Sequence, residues 1–209
     1  FLNLQTVKIF IEKDNAKPVY NVYSEVFTRA GGQILFHLLQ NPEMINSTYE
    51  NLAAISCVSL GSVSKTIKGL LKEGYAVKWD KEKKYQLVKR NELLEKWIAL
   101  ANEKILPAHK MGNYRFATSE HSNVKDIGPP ESCWGGEYGA KLITDYLNPE
   151  NYSLFTIRDK ATLMSTFRIV PDSNGSISVY KSFWKPESLN LIIVDGEMAA
   201  PPLLIYAEL

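Results

Sequence analysis

Between Ser47 and Val88 the chain carries a run of signals that admits few arrangements. Ser47-x-x-Glu50 has the form of a capping box, in which the hydroxyl takes an orphan N–H and the carboxylate reaches back. It predicts a short helix bearing Tyr49, Leu52, Ala53 and Ile55. Ser56-Cys57-Val58 reads as a tight turn. Ser59 then caps a second helix, with Leu60, Val63, Ile67, Leu70 and Leu71 on one face and Ser62, Lys65, Gly69 and Lys72 on the other. That helix is expected to end near Glu73, with Gly74 supplying the left-handed residue beyond its cap. Strands over 75–79 and 85–88 enclose a turn over 80–84. Helix, tight turn, helix and basic hairpin is the order of a winged helix-turn-helix, whose usual use is to hold DNA.

Charge supports that use. The 209-residue chain has a net charge of only +1. Residues 59–90 nevertheless hold nine Lys/Arg against three Asp/Glu, whereas 107–209 hold nine against twelve. Positive charge is concentrated on the second helix and hairpin, the electrostatic footprint of a phosphate-backbone partner. A helix opening at Ser59 offers Ser62 and Lys65 near its N-terminal end, flanked by Thr66 and Lys68, where such helices meet base edges. Gly61 lets a backbone approach closely, and the helix N-terminus favours a phosphate. Lys81, Lys83 and Lys84 at the hairpin tip suit backbone contact. Lys78, Lys89 and Arg90 extend the stripe.

The flanks are read as follows. Residues 6–12 and 18–23 alternate weakly and suggest two strands. Thr28 caps a helix over 30–40 with Ile34, Leu35, Leu38 and Leu39 buried and His37 at the stripe's edge. Asn41-Pro42 ends it. Asn91 caps a further helix with Leu93, Leu94, Trp97, Ile98, Leu100 and Ala101, which stops before Pro107. Residues 117–132, polar and containing Gly128-Pro129-Pro130, read as a linker. A second compact region starts at Trp134-Gly135-Gly136. It is expected to hold a helix ending before Pro149, a strand over 152–157, a helix over 159–167 and a brief strand at Ile169-Val170. A turn at Ser173-Asn174-Gly175, a strand over 176–180, an apolar central strand over 191–194 and a helix start at Pro201-Pro202 follow. The expected fold class is α+β, a winged helix-turn-helix followed by a mixed α/β domain. Its parts are an N-terminal β segment (1–27), the winged domain (28–116), the linker (117–133) and the mixed domain (134–209). Phe1 at the start and a helix running into Leu209 point to a fragment or a chain trimmed at both ends.

Several segments resemble one family. Phe27-Thr28-Arg29-Ala30-Gly31, Ile34-Leu35-Phe36-His37-Leu38-Leu39 and Asn41-Pro42-Glu43 are similar to the lead-in of AbiEi-type antitoxins, transcriptional regulators of type IV toxin–antitoxin systems. Tyr49-Glu50-Asn51-Leu52-Ala53 and Val58-Ser59-Leu60-Gly61-Ser62-Val63 resemble their helix-turn-helix. More specific are Trp134-Gly135-Gly136-Glu137, Tyr146-Leu147-Asn148-Pro149-Glu150 and 200–207, Ala-Pro-Pro-Leu-Leu-Ile-Tyr-Ala. The resemblance implies a bacterial, cytoplasmic regulator that binds double-stranded DNA at repeats in its own promoter. It also implies a nucleotidyltransferase-like toxin opposed without an obligatory complex. A palindromic operator would favour a homodimer on DNA.

Other readings stand beside this one. Winged helices also serve as protein-interaction modules, and hairpin lysines also protect edge strands. An enzyme would use Glu137, with Asp145, Asp159, Asp195 or Glu197 as partner. The plainer role for Glu137 is to sit in a first helical turn, where the dipole favours a carboxylate. Gly135-Gly136 is too short for a phosphate-cradling fingerprint, and Trp134 and Trp184 read as core or interface. Cys57 and Cys133 lack paired spacing and read as free thiols, and with His37, His109 and His121 they form no ligand pattern. No apolar run approaches the ~20 residues of a membrane span. The expectation is therefore a non-enzymatic regulator with no cofactor, no metal and no membrane segment.

Overall fold

The computed structural model describes residues 24–79, 84–117, 131–189 and 191–209. The expected strands over 6–12 and 18–23, the hairpin tip and most of the expected linker lie outside these residues.

α1 (Arg29–Gln40) starts where Thr28 Oγ1 accepts the Gly31 N–H at 3.0 Å. Its buried face is wider than a stripe, running unbroken from Gly31 to Leu39. His37 is fully buried, and its Nε2 hydrogen-bonds the Ile55 carbonyl at 3.1 Å. Burial disfavours the imidazolium, so its pKa falls to about 4. After a 3₁₀ turn at Pro42–Asn46, α2 (Tyr49–Ile55) begins. Its cap is Thr48, whose hydroxyl accepts the Asn51 N–H at 3.2 Å. The expected Ser47–Glu50 box is thus displaced by one residue, because Ser47 already closes the 3₁₀ turn through its N–H to Met44.

Cys57 takes a left-handed φ of 52° in the turn. α3 (Leu60–Lys72) follows, with Ser59 Oγ accepting the Ser62 N–H. Gly74 (φ 75°) ends it. The Tyr75 N–H reaches the Leu70 carbonyl at 2.8 Å and the Gly74 N–H reaches Leu71, the paired bonds of a Schellman motif. β1 (Ala76–Trp79) and β2 (Lys84–Leu87) then pair antiparallel. Asn46 binds the outer edge of β2 through both side-chain atoms, to the Tyr85 N–H and carbonyl at 2.7 and 2.9 Å.

The next helix departs from expectation at both ends. α4 (Arg90–Leu100) starts one residue ahead of Asn91, after Lys89 in left-handed geometry. It does not stop before Pro107. It continues through a π turn (Ala101–Ile105) into α5 (Leu106–His109). The π turn carries an i→i−5 bond from the Leu106 N–H to Ala101. Proline is accommodated directly after it, at the first positions of the next segment, where a helix tolerates a missing N–H.

β3 (Lys110–Phe116) follows at once, ahead of the expected linker. It enters a sheet that includes β4 (Ser132–Gly135), β5 (Tyr152–Thr156), β6 (Ile169–Pro171), β7 (Ile177–Lys181), β8 (Ile192–Val194) and β9 (Glu197–Ala199). Among the described residues the order is β6-β3-β7-β5-β4-β9-β8. The β5–β7 and β4–β9 pairs are parallel and the others antiparallel. α6 (Gly136–Thr144), α7 (Lys160–Phe167) and α8 (Pro202–Glu208) accompany it. The fold is α+β with a mixed sheet. One expectation is overturned here. The apolar segment at 191–194 is an edge strand, with Ile192 and Ile193 exposed, and not a central one.

One core joins both halves. Phe36 of α1 stacks on Trp97 of α4, with centroids 5.7 Å apart, and meets Phe183 and Trp184, which follow β7. Trp97 Nε1 donates to the Gly32 carbonyl at 2.8 Å. Gln33 Nε2 donates to both Ser56 and Phe183 carbonyls, and the Lys185 N–H reaches Ile55. The end of α2 and the turn before α3 are therefore held from the C-terminal half.

Candidate nucleic-acid interface

The surface expected from the sequence lies on α3 and the hairpin. Val63, Thr66, Ile67, Gly69 and Leu70 bury one side of α3. Ser59, Gly61, Lys65 and Lys68 are exposed, and Ser62 is half-buried beside the cap, 3.0 Å from Ser59 Oγ. These residues share the solvent side and the N-terminal end of one helix. Two assignments change. Thr66 is only 1 % exposed and belongs to the core side, so its hydroxyl is not presented to a ligand. Gly69 packs against Val26, whose Cγ2 would be 2.8 Å from an added Cβ; it is a close-approach residue and not part of the polar face.

At the hairpin, Lys84 and Lys78 are exposed. Lys81 and Lys83 lie outside the described residues. Trp79 is 56 % exposed at the end of β1, and Leu60 is 49 % exposed in the first turn of α3. Leu60 is a further correction, since it was expected on the apolar face of this helix. Trp79 was read only as the end of a strand, and alternation along β1 places it on one face with Val77. Gly61 is open: a Cβ there would meet only Ser59 Oγ, at 3.8 Å. Among the described residues nothing requires glycine at this position.

The carboxylates considered for catalysis hold structural positions. Glu137 accepts the Glu150 and Asn151 N–H groups at 2.7 and 3.1 Å and the Asn151 side chain at 3.3 Å. Those bonds, led by the Asn151 N–H, hold its carboxyl below the usual range. Asp159 caps α7 through the Thr162 N–H. Asp145 ends α6 in left-handed geometry. Asp195 and Gly196 both have positive φ and turn the β8–β9 hairpin. Glu197 is buried and receives the Tyr138 hydroxyl on both oxygens. Burial pushes the Cys133 thiol well up, with the Glu208 charge adding to it, which opposes thiolate formation. Among the described residues no group of three or more His, Cys, Asp or Glu could hold a metal ion, and no helix is long and apolar enough to cross a membrane.

Comparison with known families gives the class of the chain. A family model described as transcriptional regulator, AbiEi antitoxin, type IV toxin–antitoxin system matches residues 86–209. The chain belongs to that family. The matched region begins in β2, so α1 to α3 lie ahead of it. No curated protein and no solved structure matches the chain.

Proposed function

We propose that the segment from α1 to α4, within the expected residues 28–116 but short of β3, which joins the large sheet, acts as a winged helix-turn-helix that binds double-stranded DNA, and that the chain is the autorepressing antitoxin of its toxin–antitoxin operon. The observation that carries this reading is the coincidence of three properties on one surface. α3 is capped and exposed at its N-terminal end, its open face bears Ser62, Lys65 and Lys68, and the neighbouring hairpin adds lysines. Lys65 has the reach to donate to a guanine edge, and the serines are adaptable partners. The N-terminus of α3 offers N–H groups to a phosphate. The wing lysines supply charge that is indifferent to sequence.

Repeats in the chain's own promoter are the expected target, bound by a dimer or by two chains side by side. The functional counterpart is a nucleotidyltransferase-like toxin opposed without an obligatory complex, with no cofactor and no catalytic step by this chain. A cytoplasmic site of action goes with this role.

A footprint on the DNA upstream of the gene tests the reading. Protection of a discrete repeat is expected, and Ser62→Ala or Lys65→Ala should shift which bases are preferred. Uniform weak binding to any DNA would sink the claim of a specific repressor. Retained promoter binding, together with loss of a protein partner when the α3 face is changed, would favour an interaction module instead.

A further inference from the structure

A cavity of about 190 Å³ lies where the long helix of the N-terminal half meets the sheet and the last helix. Its walls come from several places in the fold, among them Leu106 of α5 and Asn151 just ahead of β5, whose side-chain amide donates to Glu137. The π turn contributes Asn102, and π turns inside helices recur at functional sites. The β4–α6 junction contributes Gly136 and Glu137, β5 contributes Ser153, β7 contributes Tyr180, and α8 contributes Glu208.

The wall is shaped around the Glu208 carboxylate. Its Oε2 accepts the Gly136 N–H at 2.9 Å, and the Ser153 hydroxyl donates to the same carboxylate. A Cβ on Gly135 would collide with Oε2 and would stand 2.6 Å from the Phe155 ring. Gly136 itself takes a φ of 51° to point its N–H inward. The sequence Trp134-Gly135-Gly136-Glu137 thus makes room for a carboxylate that arrives from α8.

The lining is rich in acceptors. The Asn102 amide nitrogen has two hydrogens, and both are donated, to Ile98 at 3.1 Å and to Ala207 at 2.7 Å. What Asn102 can offer a ligand is its oxygen. Glu137 adds a second carboxylate, and Ser153 and Tyr180 add hydroxyls. No Lys, Arg or His is among the lining residues described. Lys110 is not a lining residue; its Nζ stands over the Tyr180 ring, 6.0 Å from the centroid. An acceptor-lined hollow with two carboxylates selects against anions and for N–H donors carrying positive charge. At about 30 Å³ per water, the space takes a group of a few heavy atoms.

We propose that this cavity is a binding site for a small organic cation, an amidinium, guanidinium or primary ammonium group, with Glu208 as its counter-ion. The site is independent of the DNA-binding surface, so neither reading depends on the other. The groups that face Glu208 are Ser153 and the Gly136 N–H, Tyr180 from β7, Cys133 from β4 and Glu137 across the cavity. None of them is a cation. Burial raises the Glu208 carboxyl to about 7, and a bound cation would return it toward its ordinary range.

The test is calorimetric titration of the 209-residue chain with acetamidinium and with its neutral isostere acetamide, at about pH 8 and about pH 6. Acetamidinium alone should bind. Its affinity should drop about tenfold at the lower pH, following the ionised fraction of a carboxyl near 7. Glu208→Gln should abolish the heat, and Tyr180→Phe, a milder change, should weaken it. Carboxyl carbon NMR of the unmutated chain gives a readout that needs no variant: acetamidinium should lower the Glu208 titration midpoint. Absence of binding at pH 8, equal binding of acetamide, tighter binding of acetate, or an unmoved midpoint would each overturn the proposal.

Discussion

At Gly61 the needs of the fold and the proposed DNA contact can be tested apart. Because a methyl group there meets open space, Gly61→Ala should leave the melting temperature unchanged or raise it, by up to ~1 kcal/mol in helix propensity. The same methyl would stand between the α3 backbone and DNA, so promoter affinity should fall while stability holds. A matched loss of both would show that glycine serves the fold. The α2 cap allows a second substitution test. Thr48→Ala should cost ~1 kcal/mol of stability by denaturant melting, and Ser47→Ala should cost little. Sequence pattern placed a cap here but missed its register, since two adjacent hydroxyls precede the same helix and only the Ser47 turn decides between them. Thr66 and Gly69 were misread for a related reason. Small and polar types look solvent-facing, yet their angular positions put them beside Val63, Ile67 and Leu70. Glu208 carries a pH signature. Its folded carboxyl titrates near 7, above its ordinary value, so the folded state holds a proton that the unfolded chain releases. Its contribution to stability is full below about 4.5 and is lost as pH rises from there through about 7. The melting temperature of the unmutated chain should decline over that interval, and Glu208→Gln should flatten the decline.

At the scale of elements, local chemistry carried much of the reading and neighbourhood carried the rest. The caps at Thr28 and Ser59 and the glycine stop at Gly74 are written within a few residues of where they act. They place α1 and α3 closely. The helix through Pro107 was not legible. Proline is a stop signal by itself, and the π turn that accommodates it has no composition of its own. The segment at 191–194 was apolar enough to read as central, but apolarity measures transfer from water and says nothing about which strands lie alongside. It occupies an edge, next to β9. Gly135 gives the test at this scale. Gly135→Ala inserts a methyl against both Glu208 and Phe155, and the junction of β4 with α6 should lose roughly 1–3 kcal/mol, read as a lower melting temperature.

For the whole molecule, the consequence of a shared core is cooperativity. Phe183 and Trp184 reach from beyond β7 onto Phe36, while Gln33 donates to the Phe183 and Ser56 carbonyls and the Ile55 carbonyl accepts the Lys185 N–H. The sequence suggested two compact parts and gave no sign of this contact, because aromatic residues as far apart in the chain as Phe36 and Phe183 announce burial and not partners. Phe183→Ala should cost about 3–5 kcal/mol and lower a single transition seen alike by tryptophan fluorescence and far-UV dichroism. Two separated transitions would show that the halves melt independently. The clamp also sits on the turn ahead of α3, so loosening it should weaken DNA binding without touching the face that reads it.

In the proposed function, the α3–hairpin surface holds DNA by its charge and reads it by the helix face. The most direct measurement is affinity for the upstream promoter as a function of salt, for the unmutated chain and for the Lys83→Ala, Lys84→Ala variant. The logarithm of the affinity should fall linearly with the logarithm of salt concentration, and the variant's slope should be shallower by about one per lysine removed, on every sequence alike. Affinity indifferent to salt, or an unchanged slope in the variant, would contradict it.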